Sequence, residues 1–378
     1  MSTSNTIMEF AHPGIRALHP YEPGKPVSEL EREYGVSNAL KLASNENPLG
    51  PSPMALEAAR GALEQMERYP DGNGFELKDA LANKHSVSPD NITLGNGSNE
   101  LLELVARVFL SPDSNAVPNS VFSEHAFAVY PIVTQAVGAK AKIAKANPSS
   151  HQMPYGHDLS AIRGLIDDNT RVVFVANPNN PTGTWLASSE LESFIRDVPS
   201  SVVVVIDEAY FEYVLEDEYS DSIRWIEKYP NLMVTRTFSK AYGLAGLRVG
   251  YSVTQPVLSD LLNRARQPFN VNSIAQIAAL AALSDHEFIN KSVSTNQNGL
   301  QQLCSAFEQL GWSYIPSVGN FICVDVGRSG AEVYEELLYK GVIVRPVANY
   351  GLPNYLRLTV GGQEENERVL KSMKDVLG

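Results

Sequence analysis

Two short runs of mostly β-branched residues constrain the fold more than any other feature of this sequence. They are RVVFVA at 171–176 and SVVVVI at 201–206, and a third apolar run follows at 232–236. Strands without polar alternation are buried on both faces, which is typical of a parallel sheet covered by helices. Because helical patterns alternate with these runs, for example at 191–196, we predict an α/β fold with a mainly parallel sheet. Ligands of such sheets lie beyond the carboxyl ends of the strands.

The chain is long enough for two domains, and its pattern changes near residue 275. An Ala-rich helix at 274–283 leads into helix-then-strand patterns that end in FICVDV, VIVRPV and YLRLTV. We therefore predict three parts, which are an N-terminal arm at 1–45, a large domain at 46–275 and a small α+β domain at 276–378.

Charge and cysteine content exclude several classes of function. A net charge of −13 argues against nonspecific binding to nucleic acid or to an anionic membrane. The two cysteines, Cys304 and Cys323, make neither a disulfide framework nor a metal site, and we expect reduced thiols. We see no secretory signal and no run of membrane-spanning length, so we expect a cytoplasmic protein. The cysteines and histidines show no metal-ligand spacing, so we expect no metal.

The segment TRTFSKAYGLAGLRVGY, at 235–251, is the strongest single indication of chemistry. It places Lys240 just after a predicted strand, between the hydroxyls of Thr237 and Ser239 and the guanidinium of Arg248. A lysine that forms a Schiff base must lose its proton easily, and hydroxyls with an arginine suit a phosphate monoester. Taken alone, the Ser-Lys pair favours an ordinary surface lysine.

The segment VVVVIDEAYFEY places a carboxylate at the end of a buried strand. Asp207 would keep the pyridine nitrogen of an electron-sink cofactor protonated, and Tyr210 could donate to the phenolic oxygen of that cofactor. Asp207 could instead be a helix N-cap, and taken alone it does not distinguish a cofactor ligand from a cap.

Two turn-forming segments add candidate ligands. Asn180 stands before a proline in ANPNNPTGT, so its backbone is held extended and its amide could donate to the phenolic oxygen. In LGNGSNELLEL, Gly95 and Gly97 precede a helix whose first turn offers the amides of Ser98 and Asn99 to a phosphate. An ordinary turn explains either segment if it is taken alone.

Two arginines stand in apolar strand patterns, Arg345 in VIVRPV and Arg357 in YLRLTV. Arginines are rarely buried unless they pair with an anion, so one could bind a substrate carboxylate and the other a second anionic group. Structural ion pairs are the alternative.

Eight segments in this order resemble the fold-type I enzymes that use pyridoxal 5'-phosphate (PLP), aminotransferase class I/II, and more narrowly the histidinol-phosphate aminotransferases. The resemblance extends from about Leu42 to Gly362. The segments are ASNENPLGP, RYPDGNG, GNGSNE, NPNNPTG, DEAYFEY, TFSKAYGLAGLRVG, IVRP and LRLTVG.

The resemblance implies a role for each candidate residue. Lys240 is then the Schiff-base lysine and proton shuttle, Asp207 the partner of the pyridine nitrogen, and Asn180 and Tyr210 the ligands of the phenolic oxygen. The phosphate is surrounded by Ser98, Asn99, Thr237, Ser239 and Arg248, and by Tyr69 from a neighbouring subunit, which implies a homodimer. Arg357 takes the amino-acid carboxylate, Arg345 and Tyr21 lie near the phosphate end of the substrate, and Phe127 stacks on the ring where relatives often carry Tyr.

The implied reaction is transamination of histidinol phosphate with 2-oxoglutarate in histidine biosynthesis. Phe127 and a loosely matched N-terminal segment leave open an aromatic amino-acid aminotransferase. A PLP-dependent phospho-amino-acid decarboxylase is a third reading. A PLP-sensing regulator is disfavoured, since there is no spare domain for DNA and the chain is acidic.

Overall fold

A seven-stranded sheet forms the centre of the larger part of this computed structural model, which describes residues 4–20, 24–112 and 116–378. The strands are β1 Leu40–Lys41, β2 Ile92–Gly95, β3 Asn119–Ser123, β4 Lys140–Ala144, β5 Thr170–Ala176, β6 Val203–Asp207, β7 Leu232–Thr237, β8 Gly250–Thr254, β9 Tyr314–Ile315, β10 Phe321–Asp325, β11 Val342–Ile343, β12 Arg345–Pro346 and β13 Tyr355–Thr359. The helices are α1 Ser4–Phe10, α2 Pro13–Arg16, α3 Val27–Tyr34, α4 Pro53–Ala62, α5 Phe75–His85, α6 Ser98–Phe109, α7 Val129–Ala136, α8 Leu159–Gly164, α9 Ser188–Asp197, α10 Pro256–Ala265, α11 Ser273–Ser284, α12 His286–Leu310, α13 Gly330–Tyr339 and α14 Gln363–Leu377.

The large sheet has the strand order β2-β8-β7-β6-β5-β3-β4 and is mainly parallel, as the apolar runs predict. Only β8 runs against its neighbours β2 and β7 within this sheet. The carboxyl ends of β5, β6 and β7 therefore meet at one edge, and polar loops follow all three strands.

Successive residues of β5 belong to two different apolar cores, one on each face of the sheet. Val173 and Val175 pack with side chains of α4, α5, α9 and α11, whereas Val172 and Phe174 pack with α6, α7 and α10. Burial on both faces explains why this strand shows no polar alternation in its sequence.

The smaller part is built on an antiparallel sheet with the order β12-β13-β10-β9, packed against α12, α13 and α14. The run predicted as one strand at 342–347 is two short strands. The first, β11, pairs in parallel with β1 of the N-terminal segment, and the second, β12, pairs with β13. The N-terminal segment is thus attached to the smaller part. None of the described helices is long and apolar enough to cross a membrane.

Candidate active site

A cavity of about 260 Å³ opens at the carboxyl ends of β5, β6 and β7, between the two sheets. Of the predicted site residues that the structure describes, all but Tyr69 line this cavity: Ser98, Asn99, Phe127, Asn180, Asp207, Tyr210, Thr237, Ser239, Lys240, Arg248, Arg345 and Arg357. Among the described lining residues, basic groups outnumber acidic ones, since Lys240 and three arginines stand against Glu46 and Asp207. The cavity therefore suits an anionic ligand although the protein is acidic.

Asp207, the last residue of β6, is a buried carboxylate with two hydroxyl donors. The Tyr130 hydroxyl donates to Oδ2 at 3.0 Å, and Thr235 Oγ1 donates to Oδ1 at 3.1 Å. Burial raises the pKa of Asp207, and these hydrogen bonds, which favour the charged form, offset part of that rise. Asp207 is thus suited to hold a cationic N–H group inside the cavity.

Sequence reasoning did not single out Tyr130 or Thr235. Thr235 is the register partner of Asp207 on β7, and the Tyr130 ring stacks on Phe174 with centroids 4.8 Å apart. In the sequence, the only indications of a role for these residues were that Tyr130 follows Phe127 by three residues and that Thr235 begins the segment TRTFSK.

Tyr210 and Asn180 offer hydrogen-bond donors to the cavity. The missed residue Asn45 donates through Nδ2 to the Tyr210 hydroxyl at 2.9 Å. Burial raises the pKa of Tyr210 to about 12, so its hydroxyl keeps a hydrogen to donate. Asn180 Oδ1 accepts from Arg357 Nη1 at 2.5 Å, which directs the amide hydrogens of Asn180 to other acceptors. Asn45 belongs to the ASNENPLGP segment, which was its only signal.

Lys240 is the lysine of the cavity, and its Nζ donates to the carbonyl of Ser44 at 3.2 Å. Burial lowers the pKa of Lys240 to about 8, and the nearby charges of Arg357 and Arg248 act in the same direction. A substantial fraction of the amine is therefore neutral near physiological pH, as a nucleophile or a base requires.

Arg248, two hydroxyls and the start of α6 form a cradle for an anion. Arg248 Nη1 donates to Ser239 Oγ at 3.2 Å, and Thr237 Oγ1 donates to the same oxygen at 2.9 Å. Gly97 precedes α6 with φ +74°, and a Cβ there would lie 2.3 Å from Arg248 Nη2. A side chain at position 97 would therefore displace the Arg248 guanidinium from the start of α6, where free amides suit an anion.

Arg345 and Arg357 are register partners on the antiparallel strands β12 and β13. Register partners project from the same face of a sheet, so the two guanidinium groups lie on one side of it. Arg357 is buried and donates through Nη2 to the carbonyl of Ala43 at 2.7 Å. Its Nε is buried and has no hydrogen-bond partner among the described residues. Arg357 therefore leaves one donor for an anionic group at this end of the cavity.

The remaining candidates occupy different positions. Phe127 lines the cavity and meets Tyr130 edge to face, with centroids 5.9 Å apart. Tyr69 is 82% exposed, stacks on Phe269 and does not line the cavity of its own chain. Tyr21 lies outside the described residues.

These groups fit PLP. The cradle at Gly97 and Arg248 matches a phosphate, the buried carboxylate of Asp207 matches a pyridine N–H, and the Lys240 amine matches an aldehyde. The unpartnered Nε of Arg357 leaves a donor for an anionic substrate.

Comparison with known proteins agrees with this chemistry. The profile of the family "Aminotransferase class I and II" matches residues 37–373. The chain therefore belongs to the class I and II aminotransferases, and the predicted enzyme class and fold class are confirmed.

The narrower resemblance is confirmed as well. The chain is 57% identical over 376 residues to histidinol-phosphate aminotransferase 2 of Pseudomonas fluorescens strain Pf0-1, covering 99% of each chain. It is 56% identical over 372 residues to histidinol-phosphate aminotransferase 2 of Pseudomonas aeruginosa PAO1, covering 98% of each. The structure of histidinol-phosphate aminotransferase from Sinorhizobium meliloti in complex with pyridoxal-5'-phosphate is similar with a TM-score of 0.87 and 27% identity, over 97% of each chain.

Proposed function

We propose that this chain catalyses PLP-dependent transamination between histidinol phosphate and 2-oxoglutarate, which in the biosynthetic direction consumes imidazole acetol phosphate and glutamate. The observation that carries the proposal is that one cavity holds Lys240, Asp207 and a cross-strand arginine pair. The names of the two Pseudomonas relatives and the PLP bound in the Sinorhizobium structure support the substrate and the cofactor.

We assign the cofactor ligands from the contacts of the cavity. Lys240 binds the cofactor covalently, and Asp207 pairs with its pyridine nitrogen. Asn180 and Tyr210 donate to its phenolic oxygen, and Phe127 covers the ring. The phosphate is held by Ser98, Asn99, Thr237, Ser239 and Arg248. When bound, PLP supplies an electron sink that weakens the bond between the α-carbon of the amino substrate and its hydrogen.

Lys240 is the proposed general base and acid. With a pKa near 8, Nζ is able both to accept the proton that leaves the substrate α-carbon and to release it at the end of the half reaction. Tyr130 and Thr235 donate to Asp207 and favour its ionised form, and an ionised carboxylate would keep the pyridine nitrogen protonated.

The two arginines serve the two substrates. Arg357 binds a carboxylate of glutamate or 2-oxoglutarate, since its guanidinium is held by Asn180 and by the Ala43 carbonyl with Nε left to donate. Arg345, which lines the same cavity, lies near the phosphate end of histidinol phosphate, as we also propose for Tyr21.

We further propose a homodimer in which Tyr69 reaches the cofactor phosphate of the neighbouring subunit. Tyr69 belongs to a group of exposed apolar side chains near α4 and α5, and monomeric soluble proteins rarely leave such a patch uncovered. The group comprises Met54, Met66, Tyr69, Phe75 and Phe269. Light scattering should give twice the chain mass, and Met66→Glu should shift the protein toward a monomer.

The domain boundaries at residues 45 and 275 and the cytoplasmic location are kept as proposals. The cytoplasmic location is supported by Cys304 and Cys323, which are both free thiols.

The proposed function is tested by a single half reaction, followed by absorbance of the lysine-bound cofactor. Purified protein loaded with PLP is mixed with histidinol phosphate and, separately, with phenylalanine. Rapid conversion of the cofactor to its amine form by histidinol phosphate, and slow conversion by phenylalanine, is expected. Faster conversion by phenylalanine would make the protein an aromatic amino-acid aminotransferase, and a protein that binds no PLP would overturn the assignment of Lys240.

A further inference from the structure

We propose that His125, which does not line the cavity, is a positioning residue that fixes the cavity wall shared by Phe127 and Tyr350 and thereby sets the affinity for the amino substrate. The inference rests on the proposed function, because it concerns the same cavity. His125 lies between β3 and α7, is 7% exposed, and precedes Phe127 by two residues.

The His125 side chain joins the large sheet region to the small one. Its Nδ1 lies 2.6 Å from the carbonyl oxygen of Tyr350, which is 225 residues away in the sequence. A carbonyl only accepts hydrogen bonds, so Nδ1 must carry the hydrogen and donate. Tyr350 lines the cavity and lies in the turn between β12 and β13, the strands that carry Arg345 and Arg357.

The backbone of His125 is bonded to the loop that carries Asn180. Its carbonyl accepts from Asn179 Nδ2 at 2.9 Å, and the next residue, Asn180, holds Arg357 through Oδ1. One histidine therefore connects the segment of Phe127, the loop of Asn180 and the turn of Tyr350.

The imidazole has little freedom to turn. Tyr155 meets it edge to face, with centroids 5.4 Å apart and an interplanar angle of 89°. On another side a Cβ at Gly351, whose φ is +78°, would lie 3.3 Å from His125 Cε1. The ring is thus held in the orientation that directs Nδ1 at Tyr350.

Losing this hydrogen bond should weaken substrate binding more than it slows the chemistry. Without it, the turn between β12 and β13 samples positions in which the arginines are displaced, and the apparent affinity falls with the fraction of competent molecules. The net worth of one hydrogen bond corresponds to a rise in KM of about three- to tenfold.

The test replaces His125 by Asn or by Gln, whose amide nitrogens occupy the positions of different imidazole nitrogens. In His125→Asn the amide nitrogen takes the place of Nδ1, whereas in His125→Gln it takes the place of Nε2. We expect KM for histidinol phosphate and for glutamate to stay near wild type in His125→Asn. In His125→Gln and His125→Leu both should rise about three- to tenfold, with kcat changed less than about twofold. The exposed His286→Gln is the matched control.

A packing role alone predicts the opposite order, because Gln fills the site better than Asn. Wild-type KM values in His125→Gln, or equal losses in the Asn and Gln variants, would overturn the proposal. If these variants fail to fold, Gly351→Ala displaces the same turn from the other side, and unchanged KM values there would count against it. If wild-type protein converts glutamate but not histidinol phosphate, the proposed substrate is wrong, while KM for glutamate still tests His125.

Discussion

The cavity has two walls that are held in different ways. The wall on the large sheet, which we assign to the cofactor, is built from neighbouring strand ends, as in the pairing of Asp207 with Thr235 across β6 and β7. The wall on the small sheet, which we assign to the substrate, depends on contacts between distant segments. Arg357 is held by Asn180, 177 residues away, and by the carbonyl of Ala43, 314 residues away.

This difference separates cofactor binding from substrate binding. Neighbouring strand ends and the helix start beside them set most of the first wall, so changes there should alter the affinity for PLP or its electronic state. The second wall exists only when the small sheet and the N-terminal segment are both docked. Changes there should alter KM for the substrates while PLP remains bound.

Replacing the residue that serves both walls should have the largest effect. Lys240→Ala is expected to lower the rate of the half reaction by at least about 10⁴-fold, because both the covalent attachment and the proton transfer are lost. Stopped-flow absorbance with histidinol phosphate measures the rate. The exposed Lys291→Ala is the control, and a Lys240→Ala protein with near wild-type rates would remove the basis of the mechanism.

Substitution in the substrate wall should come next. Arg357→Gln removes a buried charge that binds a carboxylate, and kcat/KM for glutamate should fall about 100-fold with PLP still bound. Arg345→Gln should instead affect histidinol phosphate more strongly than glutamate. If each variant affected the two substrates equally, Arg357 and Arg345 would not be specific for glutamate and histidinol phosphate, respectively.

A smaller effect is expected behind the cofactor wall. Tyr130→Phe removes one donor to Asp207, so the pKa of Asp207 should rise further and kcat should fall about tenfold. Because the ionised carboxylate is the active form, the acidic limb of the pH profile of kcat should move to higher pH. Tyr229→Phe, which loses a hydrogen bond to Glu192 away from the cavity, is the control. An unmoved acidic limb would mean that Tyr130 does not tune Asp207.

The smallest effect should follow from a methyl group in the anion cradle. Gly97→Ala forces alanine into a left-handed conformation beside Arg248, and the affinity for PLP should fall about fivefold. Gly246→Ala adds a methyl group in open space and should change nothing. Equilibrium titration of the apoprotein with PLP measures both. A rise in KM for glutamate without weaker PLP binding would contradict the separation of the two walls.

The cofactor wall was largely predictable because its residues follow apolar strands whose ends must meet. The runs before Asp207 and Thr237 predicted β6 and β7, and the glycines before Ser98 predicted the start of α6. The substrate wall could be anticipated only as two arginines in strands. No pattern in one sequence indicates that these strands are register partners. On the cofactor wall, the donation from Asn45 to Tyr210 across 165 residues also leaves no local signal.

The lack of a local signal for long-range contacts also explains why Tyr130 and Thr235 were not predicted. Tyr130 and Thr235 look like ordinary members of a helix and a strand, and only their common approach to Asp207 gives them a role. The division of VIVRPV into β11 and β12 depends on β1, which lies 300 residues earlier and supplies a second partner for the run. Long-range pairing of this kind leaves no local signal.

The pairing of β1 with β11 also sets an order of events during synthesis. Leu40 leaves the ribosome about 300 residues before Val342, its partner, so the early segment waits for most of the chain to be made. The Ala43 carbonyl, which accepts a hydrogen bond from Arg357, is likewise made long before its partner. The large sheet has all its strands by residue 254 and is free to form first. A nascent chain stalled before residue 340 should therefore hold a folded sheet but lack a finished substrate site.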